Sequence, residues 1–163
     1  MAIKEIVADY PRPPRIEIIT GPVSIVIQNE IIAQDCEYIR VCETFHPPSI
    51  YIKPSAFTNG TLHKVSGRPS FCEWKGLATY WNLSQANGDN LRQHAGWSYE
   101  NPSDQYSALK TWVSVYPKLV DGCYLEERGL LHNQDNFMVD GLQVEFKAHL
   151  RETLITLNWF EQF

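Results

Sequence analysis

The stretch Cys72-Glu73-Trp74-Lys75-Gly76-Leu77-Ala78-Thr79-Tyr80-Trp81, followed by Ala95-Gly96-Trp97-Ser98-Tyr99-Glu100-Asn101-Pro102, carries the densest pattern in the chain. Its alternation reads as two strands, Ser70 to Trp74 and Leu77 to Leu83, flanking Lys75-Gly76. Successive side chains in a strand point to opposite faces. Cys72 and Trp74 are therefore expected on one face, with Glu73 and Lys75 on the other. Beyond Gly76, Ala78 and Tyr80 share a face and Trp81 takes the opposite one. Trp97 and Tyr99 also share a face, with Ser98 opposite. Paired, these strands gather Trp74, Tyr80, Trp97 and Tyr99 on one surface, with a lysine at its rim.

The flanking sequence reads the same way. Residues 8–15 hold three prolines and predict an extended arm over residues 1–14. Arg15 to Thr20 and Val23 to Gln28 are β-branched runs separated by the turn pair Gly21-Pro22, and Asn29-Glu30 marks a second hairpin into Ile31-Ile32-Ala33. Tyr38 to Phe45 alternates and is closed by His46-Pro47-Pro48. Ile50-Tyr51-Ile52 is a short strand ended by Pro54. Ser55 to Leu62 predicts an irregular segment turning at Asn59-Gly60, and Ser84 to Asn90 a polar hairpin loop. Ala95 to Tyr99 and Ser107 to Tyr116 supply two more strands. No stretch before residue 120 sustains a helical period. The expectation is one mainly β domain over residues 1–163, an antiparallel barrel or sandwich of short strands with little helix.

Composition narrows the function classes. The chain has 163 residues, 44% of them hydrophobic and 20% charged, enough for a core without disulfide or metal staples. Nineteen acidic against 14 basic residues give a net charge of −5, and no run of Lys or Arg breaks it. That argues against a nucleic-acid partner, which needs a basic face. No secretory signal and no span of membrane length is visible, which predicts a soluble cytoplasmic protein with reduced thiols and no membrane partner. Cys36, Cys42, Cys72 and Cys123 show no Cys-x-x-Cys spacing, and His46, His63, His94, His132 and His149 show no ligand spacing, so neither a metal nor another cofactor is expected.

Cys72, Trp74, Lys75, Gly76, Ala78, Tyr80 and Trp81, then Trp97, Tyr99 and Pro102, resemble the pattern C-P-W-K-G-x-A-x-Y-W…A-W-x-Y-x-x-P of the family called domain of unknown function 427. Glu43, Pro47-Pro48 and Tyr51-Ile52-Lys53-Pro54 resemble its upstream Glu, turn and Y-x-P, and the resemblance covers roughly residues 15–127. Glu73 stands where the family usually has Pro. The resemblance implies a β-tent-like fold, some relatives of which hold zinc through Cys-x-x-Cys knuckles that this chain lacks. It also carries a loose nucleotidyltransferase-like label, yet the chain has no Gly-rich phosphate loop and no Gly-Ser with a spaced Asp pair for magnesium. Beyond residue 127 the resemblance stops. Relatives close on a Gly- and Trp-rich tail, and residues 129–155 here are either ordinary divergence or a segment out of frame between two compensating shifts.

For function, the aromatic surface suits a small molecule of unknown identity, bound by Trp74, Tyr80, Trp97, Tyr99 and Tyr51 with Lys75 and Glu43 as polar anchors. The competing reading is that these rings simply fill the core. Lys75 can stabilise negative charge or act as a nucleophile, and Glu43 can serve as general base, which makes them the catalytic candidates. Lys75 can equally be a surface lysine or the ion-pair partner of Glu43 or Glu73, and Glu43 can pair with Arg40. The alternatives to plain binding are an enzyme acting on a phosphorylated or activated small molecule, and a protein-interaction module using exposed aromatics. The oligomeric state is not legible.

Overall fold

A computed structural model describes residues 5–67 and 69–125, together with the backbone of three strands beyond them. Among the described residues the strands pair antiparallel, with four short 3₁₀ segments. The strands are β1 (Arg15–Ile27), β2 (Glu30–Glu43), β3 (His46–Ile52), β4 (Leu62–Lys64), β5 (Ser70–Cys72) and β6 (Gly76–Leu83). They continue as β7 (Arg92–Tyr99), β8 (Val113–Val115), β9 (Gly122–Leu125), β10 (Asn136–Val139), β11 (Leu142–Ala148) and β12 (Ile155–Leu157). They form one sheet in the order β10-β11-β12-β9-β1-β2-β3-β8-β7-β6-β4, with β5 paired to β6.

The expected barrel is not closed: among the described residues the path ends at β4 and β10. Nor are all strands short. The two runs flanking Gly21-Pro22 are one strand, because the glycine and proline fall at a register shift between Thr20 and Val23 rather than at a turn. Proline has no amide to give to a ladder, and an irregularity of this kind tolerates it. The real reversal lies at Gln28-Asn29, both with positive φ (47° and 64°), the signature of a two-residue hairpin turn. His46-Pro47-Pro48 opens β3 instead of closing a strand. Of the strand expected over Ser107 to Tyr116 only Val113–Val115 forms; Asp104–Leu109 is a 3₁₀ segment.

Alternation along the strands gives the sheet two covered faces. On one, Val23, Ile25 and Ile27 of β1 meet Ile50 and Ile52, Leu83, Ala95, Val113, Val115 and Leu125 in the larger core. These residues come from distant parts of the strand order, so the sheet curls around this face. Asp121 ties the curl by accepting from the Gln28 backbone N–H at 2.8 Å and pairing with Arg92 of β7 at 3.1 Å. On the other face Ile39, Val41, Tyr51, Ala78 and Tyr99 pack with Tyr106 and Leu109 of the 3₁₀ segment. That segment is held down by the Tyr106 hydroxyl, which donates to the Pro14 carbonyl at 2.9 Å.

The N-terminal arm is not simply extended. Val7–Asp9 forms a 3₁₀ turn with Val7 buried, and the arm lies against the β2–β3 turn. There the Phe45 N–H donates to Val7 at 2.9 Å and the Thr44 hydroxyl to Tyr10 at 2.6 Å. Most of residues 129–155, where divergence or a frame shift was at issue, lies outside the described residues, as do His132 and His149. Among the described residues no helix is long and apolar enough to cross a membrane, and Cys36, Cys42, Cys72 and Cys123 are free thiols.

Candidate functional site

The smaller face carries the aromatic surface. Register places Tyr80 opposite Trp97, Trp97 opposite Ser114, and Ser114 opposite Tyr51, which continues to Ile39 of β2. Directly opposed residues share a face, so these five side chains form one transverse row across β6, β7, β8, β3 and β2. Ala78 opposite Tyr99 forms the next row. Trp81 points to the larger core, as alternation requires, and its indole N–H donates to Ser98 at 2.8 Å.

Within the row the polar groups are selectively satisfied. The Trp97 indole N–H donates to the Tyr51 hydroxyl at 3.1 Å, with the rings edge-to-face at 6.1 Å. Trp97 also lies 4.4 Å from the Tyr116 ring. Tyr80 shares a 2.6 Å hydrogen bond with Ser70 and meets the His94 ring edge-on. Ser114, fully buried between Tyr51 and Trp97, has no hydrogen-bond partner for its hydroxyl among the described residues. Burial, and then the neighbouring Tyr99, push the Tyr51 phenol well above its ordinary pKa. Burial and the Cys72 thiol do the same for Tyr99. Both phenols therefore stay neutral and keep their protons for donation.

Lys75 departs from the alternation. The strand expected through Trp74 stops at Cys72, and Cys72 opposes Gly76 across a three-residue turn, Glu73-Trp74-Lys75. Gly76 has φ +103°, a conformation that favours glycine. The turn returns Lys75 to the face of Tyr99, so Lys75 is neither at an open rim nor a surface lysine. Its side chain is 8% exposed, and Nζ lies 5.9 Å from the Tyr99 ring centroid. Its ion-pair partner is Glu43, at 3.5 Å, whose side chain is 36% exposed. Ser103 fixes the turn from outside, accepting nothing from it but donating its hydroxyl to the Trp74 carbonyl at 2.6 Å and its N–H to Lys75 O at 3.3 Å.

The structure thus brings Trp74, Lys75, Tyr80, Trp97, Tyr99, Tyr51 and Glu43 to one face. They are not equal members: Tyr51 and Tyr99 are buried as core, whereas Trp74, Tyr80 and Trp97 are partly open to solvent. Arg40 pairs with Glu5 and Glu17. The His63 ring bonds Ser84 at 2.8 Å, and the exposed His46 ring bonds Pro47 O. Among the described residues no three His, Cys, Asp or Glu side chains converge on a metal position. The sequence reading missed Ser114 and Tyr116. Their signal was present in the alternation Trp112-Ser114-Tyr116, which puts all three on one face of the strand it had already assigned.

Comparison with known proteins adds one finding. No curated protein matches the chain. The profile of a domain of unknown function (DUF427) matches residues 15–126, a span that runs from the start of β1 through β9 and includes every residue of the aromatic face. On that match, the chain belongs to the DUF427 family.

Proposed function

We propose that this domain binds a small molecule on the aromatic face, with Trp74, Tyr80 and Trp97 as the open hydrophobic wall and Lys75 as the polar anchor. The observation that carries this reading is the state of Lys75. Burying an ammonium is costly unless it is paired and hydrogen-bonded. Here the Lys75 side chain is buried with a single carboxylate at 3.5 Å, and its ammonium makes no hydrogen bond to another described residue. Charge-assisted bonds normally close to about 2.7–2.9 Å. A cation held in that condition beside partly open tryptophans supports a site with room for an acceptor from outside.

A melting-temperature panel of nucleotides with magnesium, sugar phosphates, amino-acid derivatives and pigments tests the reading. A ligand present at a hundred times its Kd adds about 2.7 kcal/mol, a shift of several degrees for a domain of this size. The expected result is a shift that disappears in Lys75→Met or Trp97→Ala. Turnover of that ligand, lost in Lys75→Met while binding persists, would make the site an enzyme's. A flat panel on a sharply melting protein would contradict small-molecule binding.

One observation favours a second reading, a protein-interaction module. Phe71 and Leu77 face each other across β5 and β6 and are 74% and 56% exposed, an apolar pair beside the sheet edge. Loss of self-association or partner binding in Phe71→Ser/Leu77→Ser, with the aromatic face intact, would support it.

A further inference from the structure

We infer that the ligand of the aromatic face carries an anionic group and that Glu43 is its resident stand-in, a carboxylate that the ligand displaces from Lys75. The inference rests on the reading of this face as a small-molecule site and names the chemistry that the site selects. Three features separate this ion pair from a structural one. The first is its asymmetry. Lys75 is 8% exposed and Glu43 36%, so the pair opens to water only on the side of the carboxylate. An approaching molecule meets Glu43 before it meets the ammonium.

The second feature is looseness. At 3.5 Å one carboxylate oxygen neutralises the charge without making a short hydrogen bond. Even the exposed Lys53 does better in this molecule, with Glu37 at 2.9 Å and Asp35 at 3.9 Å. The third is where Glu43 sits. It is the last residue of β2, opposite His46, at the mouth of a two-residue turn whose Phe45 has φ +60°. The arm holds the two residues beyond it, through Thr44 to Tyr10 and Phe45 to Val7. The backbone at Glu43 is thereby pinned while its side chain stays partly free to swing into water. A planar anion is the fitting class, since Lys75 lies over the Tyr99 ring on the face that also carries Trp74 and Trp97. Carboxylates and phosphate esters share this chemistry.

Tryptophan fluorescence titrations with benzoate, phenyl phosphate and neutral benzyl alcohol test the inference in the full chain. Glu43→Gln removes the competing charge and keeps the shape. The expected result is at least tenfold tighter binding of benzoate or phenyl phosphate, with benzyl alcohol unchanged and the gain absent in Glu43→Gln/Lys75→Met. Which anion gains more tells a carboxylate ligand from a phosphate ester. Glu43→Asp, which retracts the carboxylate but keeps its charge, should give a smaller gain and covers the case in which Glu43→Gln does not fold. If benzyl alcohol binds but neither variant improves anion binding, the stand-in role is wrong and the aromatic site survives. If no probe binds any folded variant, both the inference and the binding reading fall.

Discussion

Among the described residues two cations are buried on this sheet, and the chain treats them in opposite ways. Arg40, in the middle of β2, is embraced by Glu5 of the arm, by Glu17 of β1 at 3.6 Å, and by the Tyr10 hydroxyl at 3.0 Å. Lys75, in a turn, has one carboxylate at 3.5 Å and an aromatic ring. A guanidinium has five donors fixed in a plane and is served best by several acceptors at once, which makes it a clamp. An ammonium left with one loose partner is poor glue. Arg40 fastens the arm to β1 and β2. On the proposed reading, Lys75 contributes little to cohesion and is kept for the anion it would bind.

The sharpest way to break this contrast is to remove the clamp. Arg40→Met should lose about 3 kcal/mol, the low end for breaking a buried ion pair, because Glu5 and Glu17 are each partly open to water. Urea unfolding measures it, and an unchanged midpoint would erase the distinction between the cations. Tyr51→Phe should come next. It leaves the part-buried Trp97 indole N–H without its acceptor, at about 1–2 kcal/mol, and shifts the Trp97 fluorescence. Ser114→Ala, one step along the same row, should instead be neutral or stabilising by up to about 1 kcal/mol, since its hydroxyl is buried without a partner. A clear loss there would mean that the hydroxyl is satisfied in solution.

The smallest expected effect lies away from both cations. The Gln28 N–H, and then Arg92, hold the Asp121 carboxyl below its ordinary 3.8. The charged form is favoured in the folded chain. Its contribution is therefore full above about pH 4 and drains away as the pH falls through the lowered folded value. Relative to Asp121→Asn, the wild type should be slightly more stable at pH 6 and lose that margin on acidification. A margin that grew toward acid would reverse the sign.

How much of this was legible in the chain follows from which interactions are local. Alternation put Tyr80, Trp97 and Tyr99 on one face and Trp81 on the other because period-2 geometry is a property of the strand itself. Gly21-Pro22 misled because turn residues serve equally well at a bulge, and only the register of β2 decides between them. Lys75 was assigned the wrong side for a similar reason. Alternation fails in a turn, and a three-residue turn ending at a positive-φ glycine resets the phase. The Glu43–Lys75 pair was foreseeable as one option among several. The pairing of Arg40 with Glu5 was not, because it depends on where a proline-rich arm lies after folding. The end of the 3₁₀ cover, Ser107 to Leu109, was read as strand, since Leu109, Trp112 and Val113 satisfy both patterns over so short a stretch.

The most direct test of the central claim is the unfolding free energy of Lys75→Met in urea without added ligand, measured beside Arg40→Met. Methionine keeps the length and apolar stem of Lys75 and removes the poorly paired charge. The account predicts a variant as stable as the wild type, or more stable by about 1 kcal/mol, while Arg40→Met is clearly weakened. If Lys75→Met loses as much stability as Arg40→Met, Lys75 is a structural cation and the aromatic face loses its anchor.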